Sequence, residues 1–388
     1  MKKAEWKKKL KGFYIVDCAI RSEEVAYLIM FENSGEYVGG TDERWRLVSW
    51  GPEAIRAKKG TDESCLFSYF KNLYFTSLSV QHKPEQKIVL CDSWGYCFVA
   101  HEGEEKAPFL KQKMRTLWGE VYVAGSGGVY KRDGIQGTWV ALDMPPKMIA
   151  DRAKGKRLKY VIEDFDAYSP EEFYILNENG ALFYTDNGVW KKVALKKAGY
   201  PKANTGAICC GPDGNVYIFA KGEDGSKIFQ GRKDKWEIIW SEPYGGTHSV
   251  EMLAYQDYIW IMDYGVLSKI KDGEITPLDT PFECTSFSVH ENLLMIASGS
   301  EAAISNGAEW KVIVSPHFNK NAVYKRKLFK PKEIESETRE TETHLNLDEA
   351  AERLDKVMEV IDSLDEGEME LFREIFIENI EKQLSKDG

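Results

Sequence analysis

The chain has 388 residues, 43% of them hydrophobic and 29% charged, with 32 Gly, 19 Tyr, 18 Phe and 11 Trp. This composition supports a large aromatic core and excludes a chain that is disordered throughout. Net charge is −10, but residues 331–388 hold 19 acidic against 7 basic residues, leaving 45 basic and 43 acidic in residues 1–330. A body so close to neutral lacks the positive field that nucleic-acid binding requires, so nucleic acid is not an expected partner.

The N-terminus, MKKAEWKKKLKG, concentrates lysines (Lys2, Lys3, Lys7, Lys8, Lys9, Lys11) that read as solvated charge. The following FYIVDCAIRSEE is interrupted by Asp17 and Arg21 and offers no apolar stretch or cleavage site of a secretory leader. Nowhere is there a run of about 18 apolar residues, so no membrane span is expected and the setting is read as cytoplasmic. The seven cysteines (Cys18, Cys65, Cys91, Cys97, Cys209, Cys210, Cys284) are odd in number and form no CxxC pair. Reduced thiols are therefore expected rather than a disulfide framework. Cys209 and Cys210 sit in a strand-like run, where neighbours face opposite ways.

From about residue 25 onward one plan recurs: an aromatic strand, a Gly turn, a second strand, another turn, and a short strand often opened by Trp. EEFYILNENGALFYTDNGVWKKVAL is the clearest copy. GEVYVAGSGGVYKRDGIQGTWVAL, GNVYIFAKGEDGSKIFQGRKDKWEII, DYIWIMDYGVLSKIKDGEITPL and ENLLMIASGSEAAISNGAEWKVI follow the same plan. VAYLIMFENSGEYVGGTDERWRLV and KIVLCDSWGYCFVAHEGEEKAPFL complete a set of seven. The anchors fall at Trp45, Trp139, Trp190, Trp236 and Trp310, with Ile275 in the sixth copy. A further strand precedes each aromatic pair, as LKYVIEDFDAYS precedes EEFYIL. Alternating strands present an apolar face to each side, and only stacking in a ring buries both faces of every sheet. The expected fold is all-β: a β-propeller of about seven four-stranded blades over residues 1–330. Ring closure is expected from FYIVDC at 13–18 as an outer strand of the last blade, with NAVYKRKLFK at 321–330 as the alternative.

The turns YTDNGVW (Tyr184 to Trp190), RDGIQGTW (Arg132 to Trp139) and ISNGAEW (Ile304 to Trp310) resemble Asp-boxes, the hairpins of sialidase-like propellers. The resemblance implies structural turns with a wedging Trp. It departs from the pattern where the leading Ser/Thr and the Asp are missing, and it implies no activity.

Residues 331–346, charged and free of aromatics, read as an acidic flexible linker. Residues 347–388 read as a helical hairpin. LDEAAERLDKVMEVIDSL carries Leu354, Met358 and Ile361 at helical spacing, and EMELFREIFIENIEKQL carries Phe372, Phe376 and Ile380. At about 2 kcal/mol per buried large side chain, such stripes favour docking on the propeller, self-association into a homo-oligomer, or a partner's groove.

No nucleotide-binding, zinc-protease or nucleophile-elbow motif occurs, so no catalytic residue, metal site or cofactor is expected. The Gly125–Gly128 run reads as a hairpin turn. The carboxylate pairs Glu163–Asp164 and Glu171–Glu172 read as surface charge, and the six histidines lack ligand spacing. The basic loop 145–159, with Lys147, Arg152, Lys154 and Arg157, and His248 between blades are expected to form a binding face. The sequence thus points to a non-catalytic protein-binding or scaffolding propeller with a protein partner. A bacterial immunity or antitoxin-like role fits by analogy. The competing expectation is a sialidase-like hydrolase or lyase at the central axis, which requires an arginine cluster with carboxylates at one mouth.

Overall fold

The computed structural model describes residues 6, 8–32, 44–51, 65–71, 73, 76–100, 102–107, 111–125, 128–155, 161–177, 180–193, 195, 203–222, 225–243, 250–263, 265–307 and 309–316. The chain divides into two compact units, Met1–Leu328 and Phe329–Gly388, and the described residues all belong to the first. The expected linker, the helical hairpin with Leu354, Met358, Ile361, Phe372, Phe376 and Ile380, the segment 321–330, Arg157 and His248 lie outside the described residues.

Seven antiparallel sheets of four strands each run consecutively along the chain. Blade 1 comprises β1 (Phe13–Ser22), β2 (Val25–Glu32), β3 (Arg44–Trp50) and β4 (Cys65–Lys71). Blade 2 comprises β5 (Ser77–Gln81), β6 (Lys87–Cys91), β7 (Tyr96–Val99) and β8 (Gly103–Lys106). Blade 3 comprises β9 (Lys111–Leu117), β10 (Glu120–Gly125), β11 (Gly128–Asp133) and β12 (Thr138–Ala141). After the helix α1 (Pro146–Ala153), blade 4 comprises β13 (Ile162–Ser169), β14 (Glu172–Asn177), β15 (Leu182–Asp186) and β16 (Val189–Val193). Blade 5 comprises β17 (Ala203–Cys210), β18 (Val216–Gly222), β19 (Gly225–Arg232) and β20 (Lys235–Glu242). Blade 6 comprises β21 (Glu251–Tyr255), β22 (Tyr258–Asp263), β23 (Val266–Lys271) and β24 (Glu274–Pro277). Blade 7 comprises β25 (Ser286–His290), β26 (Leu293–Ser298), β27 (Glu301–Ser305) and β28 (Trp310–Val314). The fold is a seven-bladed β-propeller.

The strand period of two explains how the blades stack. In β14, Phe173 and Ile175 join the apolar cluster shared with blade 3, while Tyr174 and Leu176 join the cluster shared with blade 5. Likewise Val216, Ile218 and Ala220 of β18 face blade 4, whereas Tyr217 and Phe219 face blade 6. Cys209 and Cys210 divide the same way. Every neighbouring pair of blades shares one such cluster, including the pair formed by blades 7 and 1. No blade could hide both faces alone, and the closed circle removes that deficit.

Ring closure departs from the sequence-based expectation. Residues 13–18 are not an outer strand of the last blade: β1 is the innermost strand of blade 1, and blade 7 is completed by its own β28. The seam is instead sealed by side chains. Cys18, Ile20 and Leu28 pack with Leu293, Met295 and Ile304, and the Ile15 N–H donates to the Gly299 carbonyl at 2.7 Å. A second correction concerns Trp45, which stands in the third strand of its blade; the fourth strand is CLFSYFK, without Trp. The chain from Trp50 to Cys65 accordingly connects the third and fourth strands of blade 1.

The inner strands β1, β5, β9, β13, β17, β21 and β25 neighbour one another in that order around the axis. Each has one edge paired to its own blade and one edge facing the channel. Their polar residues at that edge build the site.

Candidate functional site at the axial mouth

A cavity of about 1150 Å³ lies on the axis and is lined by residues from all seven inner strands. It reaches the end where inner strands turn into second strands, since the turn residues His82, Lys83, Trp118, Gly119, Gln256 and Glu291 line it.

Deep in the channel a polar web ties blade 3 to blades 4, 5 and 6. The Arg115 guanidinium on β9 donates to both Asp164 carboxylate oxygens at 3.0 and 2.6 Å. It also donates to the Ile208 carbonyl at 2.9 Å and the Met252 carbonyl at 3.1 Å. Arg115 and Asp164 are only 5% and 2% exposed, and this charge pair is viable because four of the five guanidinium N–H groups donate within the channel. Burial works against the charged guanidinium, but Asp164 and Asp166 outweigh it and push the Arg115 pKa up. The Lys113 ammonium lies 3.2 Å from Glu251, linking blades 3 and 6; burial opposes its charge, yet Glu251 and Asp164 hold its pKa above the ordinary value.

Asp166 accepts from the N–H groups of Ala167 and Cys210 at 2.8 Å each, and burial pushes its carboxyl up. Asp17 on β1 accepts from the Cys18 and Leu78 N–H groups at 2.8 Å and from the Ser286 hydroxyl at 2.7 Å. One carboxylate thus joins blades 7, 1 and 2. Its pKa is pushed up to about 6, first by burial and then by the Glu251 carboxylate. The Glu163–Asp164 pair is therefore not surface charge as expected from sequence, since Asp164 is locked inside the channel.

At the mouth, His82 of blade 2 and His290 of blade 7 stack across blade 1, with centroids 4.0 Å apart and planes within 8°. Burial, His290 and Arg21 lower the His82 pKa to about 4, and burial lowers that of His290. Both imidazoles are neutral near pH 7. His82 Nδ1 is buried without a hydrogen-bond partner. Trp118 occupies the first position of the two-residue β9–β10 turn with φ +52°, a left-handed conformation costly for a bulky residue. It stays 37% exposed and meets Tyr122 edge to face at 5.9 Å. The next residue must be glycine: Gly119 has φ +87°, and a Cβ there would lie 3.3 Å from side-chain atoms of His82 and Lys83. Its carbonyl accepts from the His82 and Lys83 N–H groups at 2.7 and 2.9 Å, fixing both turns together. Across the mouth, Tyr168 donates to the Gly211 and Asn215 carbonyls and lies under the Arg232 guanidinium, 4.6 Å from its ring. Arg232 in turn forks onto Glu172 at 2.8 and 2.7 Å.

Within the expected loop face, Pro146–Ala153 are helical. Helix α1 begins with Pro146, whose ring suits the first turn, and Met148 anchors it in the cluster of blades 3 and 4. Lys147 pairs with Asp151 at 3.2 Å, and Lys147, Arg152 and Lys154 are exposed. None of these three lines the axial cavity. The sequence reading missed His82, His290 and Trp118; a non-glycine residue before Gly in a two-residue turn was the available signal for Trp118. Among the described residues no group of three or more His, Cys, Asp or Glu is placed to hold a metal, and no helix is long and apolar enough to cross a membrane.

Fold and site together define a β-propeller with a polar-locked channel and one aromatic, histidine-bearing mouth. No family model matches the chain, and no curated protein matches it. Among solved structures it is similar to a catalytically inactive virginiamycin B lyase from Staphylococcus aureus with quinupristin, at 12% identity and TM-score 0.44, over 62% of this chain and 84% of that one. A putative gluconolactonase is similar at 12% identity and TM-score 0.38, over 59% and 85% of the two chains. The computationally designed Ika8 protein is similar at 12% identity and TM-score 0.40, over 78% and 96%. At these levels of likeness nothing about substrate or activity follows.

Proposed function

We propose that the protein is a non-catalytic binding propeller whose axial mouth receives a segment of a partner protein. The observation that carries this reading is Trp118, a large aromatic held in a costly backbone conformation and left exposed at the rim. Exposed, rigidly placed Trp is the side chain most enriched at binding hot spots. The cavity of about 1150 Å³ is larger than most small-molecule pockets and suits a polypeptide loop or strand. A cytoplasmic immunity or antitoxin-like setting belongs to the same proposal. So do a second contact surface on Lys147, Arg152 and Lys154 and self-association through residues 347–388.

A sialidase-like reading is disfavoured by how the arginines at the cavity are used. Arg115 and Arg232 are each forked onto a carboxylate of the protein itself, Asp164 and Glu172. One observation favours a lyase or hydrolase: His82 lines the cavity as an imidazole with an unpartnered Nδ1, although burial lowers its pKa to about 4 and weakens it as a base. Selection of displayed random peptides separates the two readings. Binding propellers enrich a peptide family on the wild-type protein, and Trp118→Ser loses it by tenfold or more in affinity, about 1.4 kcal/mol. Failure to enrich any family, or equal binding by the variant, contradicts the proposal.

A further inference from the structure

We propose that Cys91 and Cys97 are a peroxide-oxidisable dithiol that closes to a cross-strand disulfide in blade 2. The two residues face each other directly across the β6–β7 hairpin. The Asp92 N–H donates to the Tyr96 carbonyl at 2.8 Å, and the Ala100 N–H to the Ile88 carbonyl at 3.1 Å. Hydrogen-bonded pairs alternate with non-bonded ones, which places Cys91 and Cys97 at a non-bonded pair, where the strands approach closest. At such a pair the Cα separation of about 4.5 Å falls within the range a disulfide spans. The sulfurs already point at one another: the Cys97 thiol donates to the Cys91 sulfur at 2.7 Å.

Among the described thiols, Cys91 and Cys97 are the pair in sulfur–sulfur contact, and the Cys91 thiol also donates to the Asp92 carbonyl at 3.7 Å. Cys18 sits against the Ser286 hydroxyl, Cys209 and Cys284 donate to the carbonyls of Cys210 and Ser286, and Cys209 and Cys210 face different blades. Cys91 and Cys97 are 0% and 2% exposed, so a bulky disulfide is shut out and an oxidant as small as hydrogen peroxide is required. The Cys91 sulfur accepts the Cys97 S–H and is the attacking atom. It bonds to one peroxide oxygen as the O–O bond breaks and the Cys91 proton leaves with the departing hydroxide, giving a sulfenic acid and water. The Cys97 sulfur then bonds to the Cys91 sulfur, the S–O bond breaks, and a second water leaves with the Cys97 proton. Two thiols are oxidised by two electrons and one peroxide is reduced. The bond closes the base of the 92–96 turn, which displays Trp94 and Tyr96 at 48% and 49% exposure and is capped by the Asp92 carboxylate.

The test treats the folded full-length protein with hydrogen peroxide, removes the peroxide, denatures the protein, alkylates remaining thiols and maps tryptic peptides by mass. Both cysteines fall in the single peptide 88–106. The expected result is that this peptide becomes lighter by two hydrogens, resists alkylation at both cysteines, and recovers after dithiothreitol, while the other five cysteines stay alkylatable. In Cys97→Ser, Cys91 is expected to proceed to the sulfinic acid, having no resolving thiol; the wild-type mapping decides alone if that variant does not fold. Alkylation of both cysteines after peroxide, sulfinic acid on wild-type Cys91 without a link, or equal oxidation of the other five would overturn the proposal.

Discussion

Asp17 in blade 1 and Asp164 in blade 4 occupy the same place on their inner strands, yet their surroundings differ. Each follows a bulge, between Ile15 and Asp17 in one strand and between Ile162 and Asp164 in the other. Each accepts the N–H of the next residue, Cys18 or Phe165, and an N–H of the next blade, Leu78 or Ile208. Five residues on, Ser22 and Ser169 cap the turn by accepting the N–H of Glu24 and of Glu171. The device is common: a buried carboxylate supplies acceptors for channel-edge N–H groups that no strand pairs. The partners are not. Asp164 meets the Arg115 fork, whereas Asp17 meets the Ser286 hydroxyl and the field of Glu251. One side of the channel is therefore a charge-compensated lock, and the other is a titratable seam beneath the stacked histidines.

The largest effect should come from breaking the lock. Arg115→Met leaves Asp164 buried without its cation and two carbonyls without donors, and should cost about 3–5 kcal/mol in denaturant unfolding. A loss below about 1 kcal/mol would show that the web contributes little beyond packing.

Breaking the seam should cost less. Asp17→Asn replaces one acceptor oxygen by a donor facing N–H groups, a loss of about 1–3 kcal/mol. Its pH dependence carries the sharper information. The folded carboxyl, at about 6, lies above its unfolded value of 3.8, so the folded chain holds more protons between them. The Asp17 contribution is full below the unfolded value and is lost as pH rises through about 6. The gap between wild type and Asp17→Asn should accordingly narrow as pH rises across that window.

The smallest effect, and opposite in sign, belongs to His82. Its folded pKa of about 4 lies below the ordinary 6.5, so the unfolded chain binds more protons between the two and acid destabilises the fold. His82→Phe keeps an aromatic ring against His290 but cannot charge. Its stability relative to wild type should improve by on the order of 1 kcal/mol, a few degrees in Tm, as pH falls through that window. Equal pH slopes for the two proteins would contradict the burial of His82.

Legibility in the sequence followed period and punctuation. β14, β18 and β22 read clearly because both faces are apolar and Gly turns bound them. The inner strands read poorly because one edge meets the polar channel, so IEDFDAYS of β13 mixes carboxylates with aromatics. The shared Asp and the Ser five residues later were present in residues 17–22 and 164–169, but the pattern lacks meaning until both are seen to bridge blades. Trp45 misled because blade 1 keeps its Trp in the third strand, while its fourth strand, CLFSYFK, has none. The histidine stack was invisible, since nothing local to residue 82 or residue 290 announces the other; only ring closure brings blades 7 and 2 to either side of blade 1.

Amide hydrogen exchange of the full-length protein, with and without a peptide selected on it, addresses recognition at the mouth most directly. Protection is predicted at the turn of Trp118 and Gly119 and at residues 82–83 and 290–291, which line the same opening. Protection confined to the outer strands or to α1, with the mouth turns unchanged, would contradict the assignment of the axial mouth as the binding surface.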